Sequence, residues 1–180
     1  MLTAILALLV ISVAIFILVA AMQPADFRVT RSITISAPAP TVFAQVNELG
    51  KWAAWNPWQQ KDPAMQLTFA GPPSGAGASY AWAGNKDVGQ GRLTITESHP
   101  HDLVRLRLEF FKPFAATNAA EFTFSAEGNQ TAVTWTMTGK NNLFAKALHL
   151  VMNMDKMVGG EFERGLAAMN TVAETAAGSR

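Results

Sequence analysis

The amino-terminal apolar run is the feature that most constrains the fold of this chain. Between Leu2 and Ala25 there is no charged side chain, and from Leu2 to Met22 nearly every residue is Leu, Ile, Val, Ala, Phe or Met. No Pro or Gly precedes Pro24, so nothing in the run breaks a helix. A helix of about 20 apolar residues spans the hydrocarbon core of a bilayer. The sequence therefore predicts a transmembrane helix over residues 1–23, followed by a linker at 24–26.

Two other interpretations of this run stay open. A cleaved signal peptide has a basic amino terminus, a shorter apolar stretch and small residues at the cleavage site. No Lys or Arg precedes this long run, but Val19, Ala20 and Ala21 leave cleavage open. A core helix of a small domain would show a polar face, which the run lacks. We favour a retained anchor, so the chain is expected in the cell membrane as a single-pass protein.

The distribution of charge bears on membrane topology and on partners. Arg28 and Arg31 follow the run and only the terminal amine precedes it, so the positive-inside rule favours a cytoplasmic domain, although Asp26 offsets part of this bias. The formal net charge is +1 with no basic stripe, which argues against nucleic-acid partners and against a polybasic lipid-surface patch. The chain has no cysteine, which excludes disulfides, thiolate metal sites and cysteine nucleophiles.

Beyond the linker, apolar and polar residues alternate in short segments separated by turn residues, which predicts β-strands. The segments are 27–35, 65–70, 78–83, 91–98, 103–110, 116–126 and 131–138. Alternation in the last three predicts an antiparallel sheet with one dry and one wet face. The dry face would carry Val104, Leu106, Leu108, Phe122, Phe124, Val133, Trp135 and Met137, and the wet face Arg105, Arg107, Glu109 and Glu121.

Helical patterns flank these strands. A short apolar stripe after two prolines predicts a short helix over 41–49. Near the carboxyl terminus, apolar residues recur at helical spacing over 154–169, and this helix is expected to cover the dry face of the sheet. Gly159, Gly160 and Gly165 lie in or near its stripe, where each costs about 1 kcal/mol relative to Ala. They are expected to permit close approach of the helix backbone to the sheet or to a ligand.

Three of the five tryptophans fall in one segment, Trp52-Ala-Ala-Trp55-Asn-Pro-Trp58. The proline prevents a regular helix from running through it. Indole rings bury large areas and tolerate one wet edge. The cluster therefore forms either the wall of an apolar cavity or a packed corner, and the sequence leaves both open.

The order of strand, short helices, antiparallel strands and long carboxy-terminal helix resembles the helix-grip fold of the START-like superfamily, also called SRPBCC or polyketide cyclase/dehydrase-like. The resemblance covers residues 27–176, and the tail at 177–180 is expected to be disordered. Its motifs are Ser32-Ile33-Thr34-Ile35-Ser36-Ala37-Pro38, the tryptophan segment, Tyr80-Ala81-Trp82-Ala83-Gly84-Asn85 and Phe162-Glu163-Arg164-Gly165-Leu166.

This resemblance implies an α+β fold in which an antiparallel sheet curves around the long carboxy-terminal helix, with an apolar cavity between them. Here the domain would follow one transmembrane helix. Members of the superfamily bind lipids, sterols, polyketides, plant hormones or aromatic compounds, and some are cyclases. Fold alone does not select among these functions.

The candidate ligand-binding residues are the aromatic and methionine side chains expected around such a cavity. Sites for apolar ligands are lined this way, with few polar groups. An ordinary filled core would use the same residues. The candidates are Trp52, Trp55, Trp58, Tyr80, Trp82, Phe110, Phe122, Trp135, Met154, Met157 and Phe162.

No catalytic residue, metal ligand or cofactor is expected. The chain has no nucleophile elbow, phosphate loop, dinucleotide fingerprint or zinc spacing. His99 and His101 flank a proline in a predicted turn without a third ligand of matching spacing. His149 and Asp155 are conceivable as an acid/base pair, but their spacing on a helix points them in different directions.

Three functions remain. The favoured one is a membrane-anchored module that binds a hydrophobic small molecule or lipid, held to the membrane through Leu2 to Met22. A cyclase or hydratase type of enzyme is an alternative, which needs an ionisable group that faces the cavity. The third is a ligand-free protein-interaction or stress module, whose cavity would be filled by side chains.

Overall fold

The structure, a computed structural model, describes residues 1–178, apart from the side chain of Met154. The helices in this range are α1 (Leu2–Met22), α2 (Ala39–Asn47), α3 (Pro57–Lys61), α4 (Leu143–Val151) and α5 (Met154–Gly178), and a 3-10 helix covers Leu49–Ala54. The strands are β1 (Asp26–Ile35), β2 (Gln66–Ala70), β3 (Ser79–Ala83), β4 (Gln90–His99), β5 (Leu103–Lys112), β6 (Ala116–Glu127) and β7 (Gln130–Lys140).

All the strands join one antiparallel sheet in the order β1-β7-β6-β5-β4-β3-β2. The register defines two ends of this sheet. At one end, next to α1, Asp26 pairs with Lys140 and Gln90 pairs with Lys112. We call this the α1 end. At the far end, Ile35 pairs with Thr131, beside the β6–β7 hairpin turn.

The two faces of the sheet follow the alternation in the sequence. On the dry face Val104, Leu106, Phe122 and Trp135 are buried, whereas Arg105 on the wet face is exposed and pairs with Glu97 and Glu121. Phe162, Leu166 and Met169 of α5 are buried against the dry face. The predicted helix-grip architecture, a curved antiparallel sheet around a long carboxy-terminal helix, is therefore confirmed.

Two glycines of α5 permit the close approach that the sequence predicts. A Cβ on Gly165 would lie 3.0 Å from Cδ of Pro57 and 3.1 Å from Cζ3 of Trp135, and a Cβ on Gly159 would overlap the guanidinium of Arg31. Gly160 differs, because a Cβ there would meet nothing within 4 Å. At two of these three positions, therefore, the packing of the helix depends on the absence of a side chain.

Arg31 ties β1 to the first turns of α5. Its Nε donates to Oε1 of Glu163 at 2.6 Å, and its Nη2 donates to Oδ2 of Asp155 at 3.1 Å. The hydrogen bonds to Asp155 and then to Glu163 raise the pKa of Arg31. These contacts explain why a charged residue occurs on the face of β1 that is otherwise mostly apolar.

The apolar sequence before α5 forms a helix of its own, α4, which the sequence pattern does not distinguish from α5. Its first turn is capped by Asn142, whose Oδ1 accepts from the amide of Ala145 at 2.8 Å. No side chain of α4 is fully buried. The helix contacts the end of α1, where Nζ of Lys146 donates to the carbonyl of Ala21 at 3.3 Å and Ala20 is buried.

The two termini bear on the predicted domain limits. By length and composition α1 could cross a membrane. Ala20 is its buried residue, so α1 is not a core helix of the domain. At the other terminus α5 continues to Gly178 and includes the first half of the expected tail at 177–180. Residues 179–180 lie outside the described part of the chain.

Candidate functional site

An apolar cavity of about 480 Å³ lies between the dry face of the sheet and the helices. This volume falls in the range of about 300–1,000 Å³ that is typical of small-molecule sites. At the α1 end the lining reaches the β3–β4 turn, the β5–β6 turn and the segment between β7 and α4, at residues 86–89, 112–114 and 140–141. We call this end of the cavity its mouth, and it lies on the side of the domain from which α1 leaves.

The walls of the cavity come from alternating positions of the strands and from inward positions of the helices. Period-two alternation turns the same side-chain face toward the helices along each strand. The sheet contributes Val29, Tyr80, Trp82, Leu93, Leu106, Leu108, Phe110, Ala120, Trp135 and Met137, and the helical layer contributes Trp52, Trp58, Val158 and Phe162.

The tryptophan segment is both a corner and a wall. The indole Nε1 of Trp52 donates to the carbonyl of Val46 at 2.8 Å, and that of Trp55 donates to the carbonyl of Gln45 at 3.0 Å. Both carbonyls belong to the last turn of α2, where helix carbonyls lack partners within the helix. Trp55 is fully buried behind the cavity, whereas Trp52 and Trp58 line it.

The candidate residues divide into three groups by position. Those that line the cavity are Trp52, Trp58, Tyr80, Trp82, Phe110, Trp135 and Phe162. Trp55 and Phe122 are fully buried and pack behind its wall, with ring centroids 6.0 Å apart. Met157 is 48% exposed on the outside of α5, and the side chain of Met154 lies outside the described atoms.

A stack of three rings joins α5 to the sheet. The rings of Phe162 and Trp135 are nearly parallel, with centroids 3.9 Å apart. Phe122 also stacks on Trp135, with centroids 4.7 Å apart. The indole N–H of Trp135 is buried and has no hydrogen-bond partner among the described atoms. Stacking and burial, not hydrogen bonding, hold this side chain in the wall.

The interior holds few polar groups. Nδ2 of Asn56 lies 3.5 Å from the phenol oxygen of Tyr80, and its Oδ1 accepts from the amide of Trp58 at 3.0 Å. Burial raises the pKa of the Tyr80 phenol, against hydrogen bonds from Asn56 and Gln59 that lower it. The phenol is therefore neutral and can donate or accept a hydrogen bond.

Apart from Tyr80, the ionisable groups of the lining lie at the mouth or in α4. They are Lys86, Asp87, Lys112, Lys140 and His149. Sequence patterns assign none of these residues to the cavity, because Lys86 and Asp87 lie in a turn, Lys112 and Lys140 end strands, and His149 lies on a helix that the patterns do not separate. Asn118 also lines the cavity, and alternation along β6 places it on the face of Ala120 and Phe122, but the sequence candidates are aromatic and methionine side chains only. His149 packs edge-on against Phe27 at 6.5 Å between ring centroids, and the carboxylate of Asp155 pairs with Arg31.

The two histidines of the β4–β5 turn serve separate contacts. His99 forms a hydrogen bond of 2.6 Å with Oε1 of Glu97, and this bond, followed by one from Arg105, lowers the pKa of Glu97. His101 packs edge-on against Phe43. Over the described residues, no group of three or more His, Asp or Glu side chains could hold a metal ion.

Sequence comparison gives one match. The model of the family described as "Polyketide cyclase / dehydrase and lipid transport" matches residues 26–174, which is the whole sheet and nearly all of α5. No curated protein sequence matches the chain.

Solved structures share the fold at low sequence identity. Protein CV1439 from Chromobacterium violaceum has 12% identity and a TM-score of 0.59, over 84% of this chain and 99% of that chain. The Aha1 dimer from Colwellia psychrerythraea has 14% identity and a TM-score of 0.58, over 82% and 96%. Ara h 8.0201 has 11% identity and a TM-score of 0.52, over 83% and 99%.

Proposed function

Because the chain belongs to the polyketide cyclase/dehydrase and lipid transport family, we propose that it is a membrane-anchored module that binds a hydrophobic small molecule or a lipid in the cavity beneath α5. The observation that carries the proposal is the open, apolar cavity of about 480 Å³. A filled core of close-packed side chains would leave no void of this size.

The chemistry of the wall supports binding over catalysis. The polar groups of the interior, Asn56, Tyr80 and Asn118, are neutral and suit the orientation of a polar end of the ligand. General acid or base catalysis needs a titratable group with a pKa near the working pH within reach of the substrate. Burial raises the pKa of the Tyr80 phenol away from that range. The other ionisable side chains of the lining, His149 among them, lie at the mouth or in α4, and none of them is buried.

The anchor is the second part of the proposal. Apolar ligands partition into bilayers, and α1 would hold the cavity mouth close to that supply. The length of α1, its lack of charged side chains and the mouth at the α1 end all support this arrangement.

The test is native mass spectrometry of the full chain released from mild detergent. We expect an apolar adduct that survives purification or appears after incubation with membrane lipid extract. Leu108→Trp should remove the adduct, because Leu108 lines the cavity and the larger ring would fill it. Phe111→Trp is the matched control in the same strand, since Phe111 is 51% exposed and does not line the cavity.

Equal adduct on both variants would place the ligand outside the cavity and contradict the proposal. A clean mass for the unmodified chain under every condition would favour the ligand-free interaction module instead. A thermal unfolding curve for each variant separates loss of binding from loss of the fold.

A further inference from the structure

The described surface has an uncovered apolar face beside the end of α1. Helix α4 carries Leu143, Phe144 and Val151 on the outside, and Val151 is 70% exposed. Phe114 of the β5–β6 turn is 61% exposed and contacts Phe144, with the two rings tilted at 45° and their centroids 4.9 Å apart. Exposed apolar patches of this kind mark interaction sites. We call these four residues the α4 surface.

We propose that the α4 surface lies in the interfacial layer of the same bilayer that α1 enters, with the neighbouring lysines on anionic lipid headgroups. This inference rests on the proposed membrane anchor. It adds a second, peripheral contact that fixes the orientation of the domain and points the cavity mouth into the membrane surface.

Helix α4 meets α1 near the carboxyl end of the apolar run. A helix of 21 residues is about 31 Å long, close to the thickness of the hydrocarbon core of about 30 Å. If α1 spans that core, then Ala20 and Ala21 lie at the boundary with the headgroups. The contact of Lys146 with the carbonyl of Ala21 and the burial of Ala20 place α4 at this level.

The connection between α1 and the sheet is short and held by hydrogen bonds. The amide of Asn141 donates to the carbonyl of Ala25 at 2.7 Å, and its side-chain nitrogen lies 3.5 Å from the carbonyl of Pro24. The linker is therefore held against the segment that precedes α4. The domain cannot stand away from the bilayer unless these contacts break.

Four lysines collect at the α1 end. Lys86 in the β3–β4 turn, Lys112 at the end of β5 and Lys140 at the end of β7 line the mouth, and Lys146 of α4 contacts the end of α1. None of the four forms an ion pair with any described residue. The net charge of +1 and the lack of a basic stripe in the sequence argue against a polybasic patch. The fold assembles one from separated residues.

Apolar side chains beside unpaired lysines are the composition of helices that lie in a membrane interface. A soluble protein partner would have to bind within a few residues of the bilayer, and a second copy would have to bring its own α1 alongside. The bilayer is already present at this position, so it is the occupant that the geometry favours.

The experiment uses the full chain, one copy per lipid nanodisc, with an environment-sensitive fluorophore on single cysteines. The chain has no native cysteine, so each label is unique. Val10→Cys reports on α1, Val151→Cys on the α4 surface, and Asn129→Cys on the exposed hairpin turn at the far end. Lipids with a nitroxide quencher near the headgroup or deep in the acyl chain report the depth of each label.

We expect deep quenching at Val10→Cys, shallow quenching at Val151→Cys and none at Asn129→Cys in discs that contain phosphatidylglycerol. Replacing Lys86, Lys112 and Lys140 by Gln should lower the ratio of docked to undocked domains at least tenfold, since each lysine near an anionic bilayer contributes about fivefold. Lys51→Gln, at a lysine that pairs with Glu48, is the control.

Three outcomes would overturn the inference, and each has a different meaning. Quenching at Val10→Cys without quenching at Val151→Cys would keep the anchor and remove the interfacial contact. No quenching at Val10→Cys would remove the anchor itself, and with it that part of the proposed function. Quenching at Val151→Cys that appears only in discs with two copies would assign the α4 surface to self-association.

Discussion

Tyr80 is the only tyrosine in the chain and is buried in the cavity wall, so its ionisation can be followed alone. Burial raises its pKa, so the neutral phenol is the form that the folded chain stabilises. That stabilisation is fully present below the unfolded pKa of about 10 and is lost as pH rises through the higher folded pKa. We expect the tyrosinate absorbance of the native chain to stay low above about pH 10, whereas the denatured chain titrates normally. A native titration near the denatured value would place the phenol in water.

Trp55 and Trp135 provide a matched pair for the role of an indole N–H. The N–H of Trp55 caps the carbonyl of Gln45, whereas that of Trp135 has no partner among the described atoms. Phenylalanine at either position removes an indole of similar burial. Trp55→Phe should lower the free energy of unfolding by about 1–3 kcal/mol more than Trp135→Phe, because it leaves a buried carbonyl unpaired. Denaturant unfolding of both variants in the full chain measures the difference. Equal losses would mean that the α2 carbonyl finds another donor.

Sequence reasoning places side chains well where a backbone period fixes their direction. Tyr80, Trp82 and Trp135 sit on strands, whose period of two assigns each to a face, and all three line the cavity. The tryptophan segment has no period, since Pro57 interrupts it, so its pattern could not separate Trp55 behind the wall from Trp58 in it. That distinction arises only from packing against α2 and α5.

At the scale of elements, the attachment of α5 to β1 depends on Arg31, which packs against Gly159 and pairs with Asp155 and Glu163. Gly159→Ala would push its methyl group into the guanidinium and displace it from Asp155 and Glu163. Gly160→Ala meets no atom within 4 Å, and a better helix former there should raise the free energy of unfolding by up to about 1 kcal/mol. We expect Gly159→Ala to be the less stable of the two variants in thermal unfolding. If both are stabilised equally, the guanidinium moves aside without loss.

Helix α4 is the element that the sequence analysis leaves unresolved, although its signals are present. Asn142 and Asn153 both accept at 2.8 Å from an amide three residues on, at Ala145 and Lys156, as helix amino-terminal caps do. The apolar pattern runs through 143–151 and again through 154–169, so by itself it suggests one continuous helical segment. The cap residues, not the pattern, mark where one helix ends and the next begins.

At the scale of the whole molecule, the sequence predicts the helix-grip architecture because each strand and α5 carries its own signal. It cannot predict that Lys86, Lys112 and Lys140 meet around one opening, since they are far apart in the chain. Their meeting depends on the register between β4, β5 and β7, which pairing fixes only in the folded sheet. Electrostatic surfaces built from turns are therefore the part of the site that sequence patterns miss.

The proposed membrane anchor gives the whole chain an orientation, which can be tested by labelling because the chain has no native cysteine. Arg28 and Arg31 after α1 favour a cytoplasmic domain. In sealed right-side-out vesicles, a membrane-impermeant maleimide should leave Asn129→Cys unlabelled and label Thr3→Cys, at the other end of α1. Inverted vesicles should reverse the pattern. Labelling of Asn129→Cys in right-side-out vesicles would place the domain outside. If the label on Thr3→Cys were recovered on a short fragment and not on the full chain, cleavage after α1 would be shown.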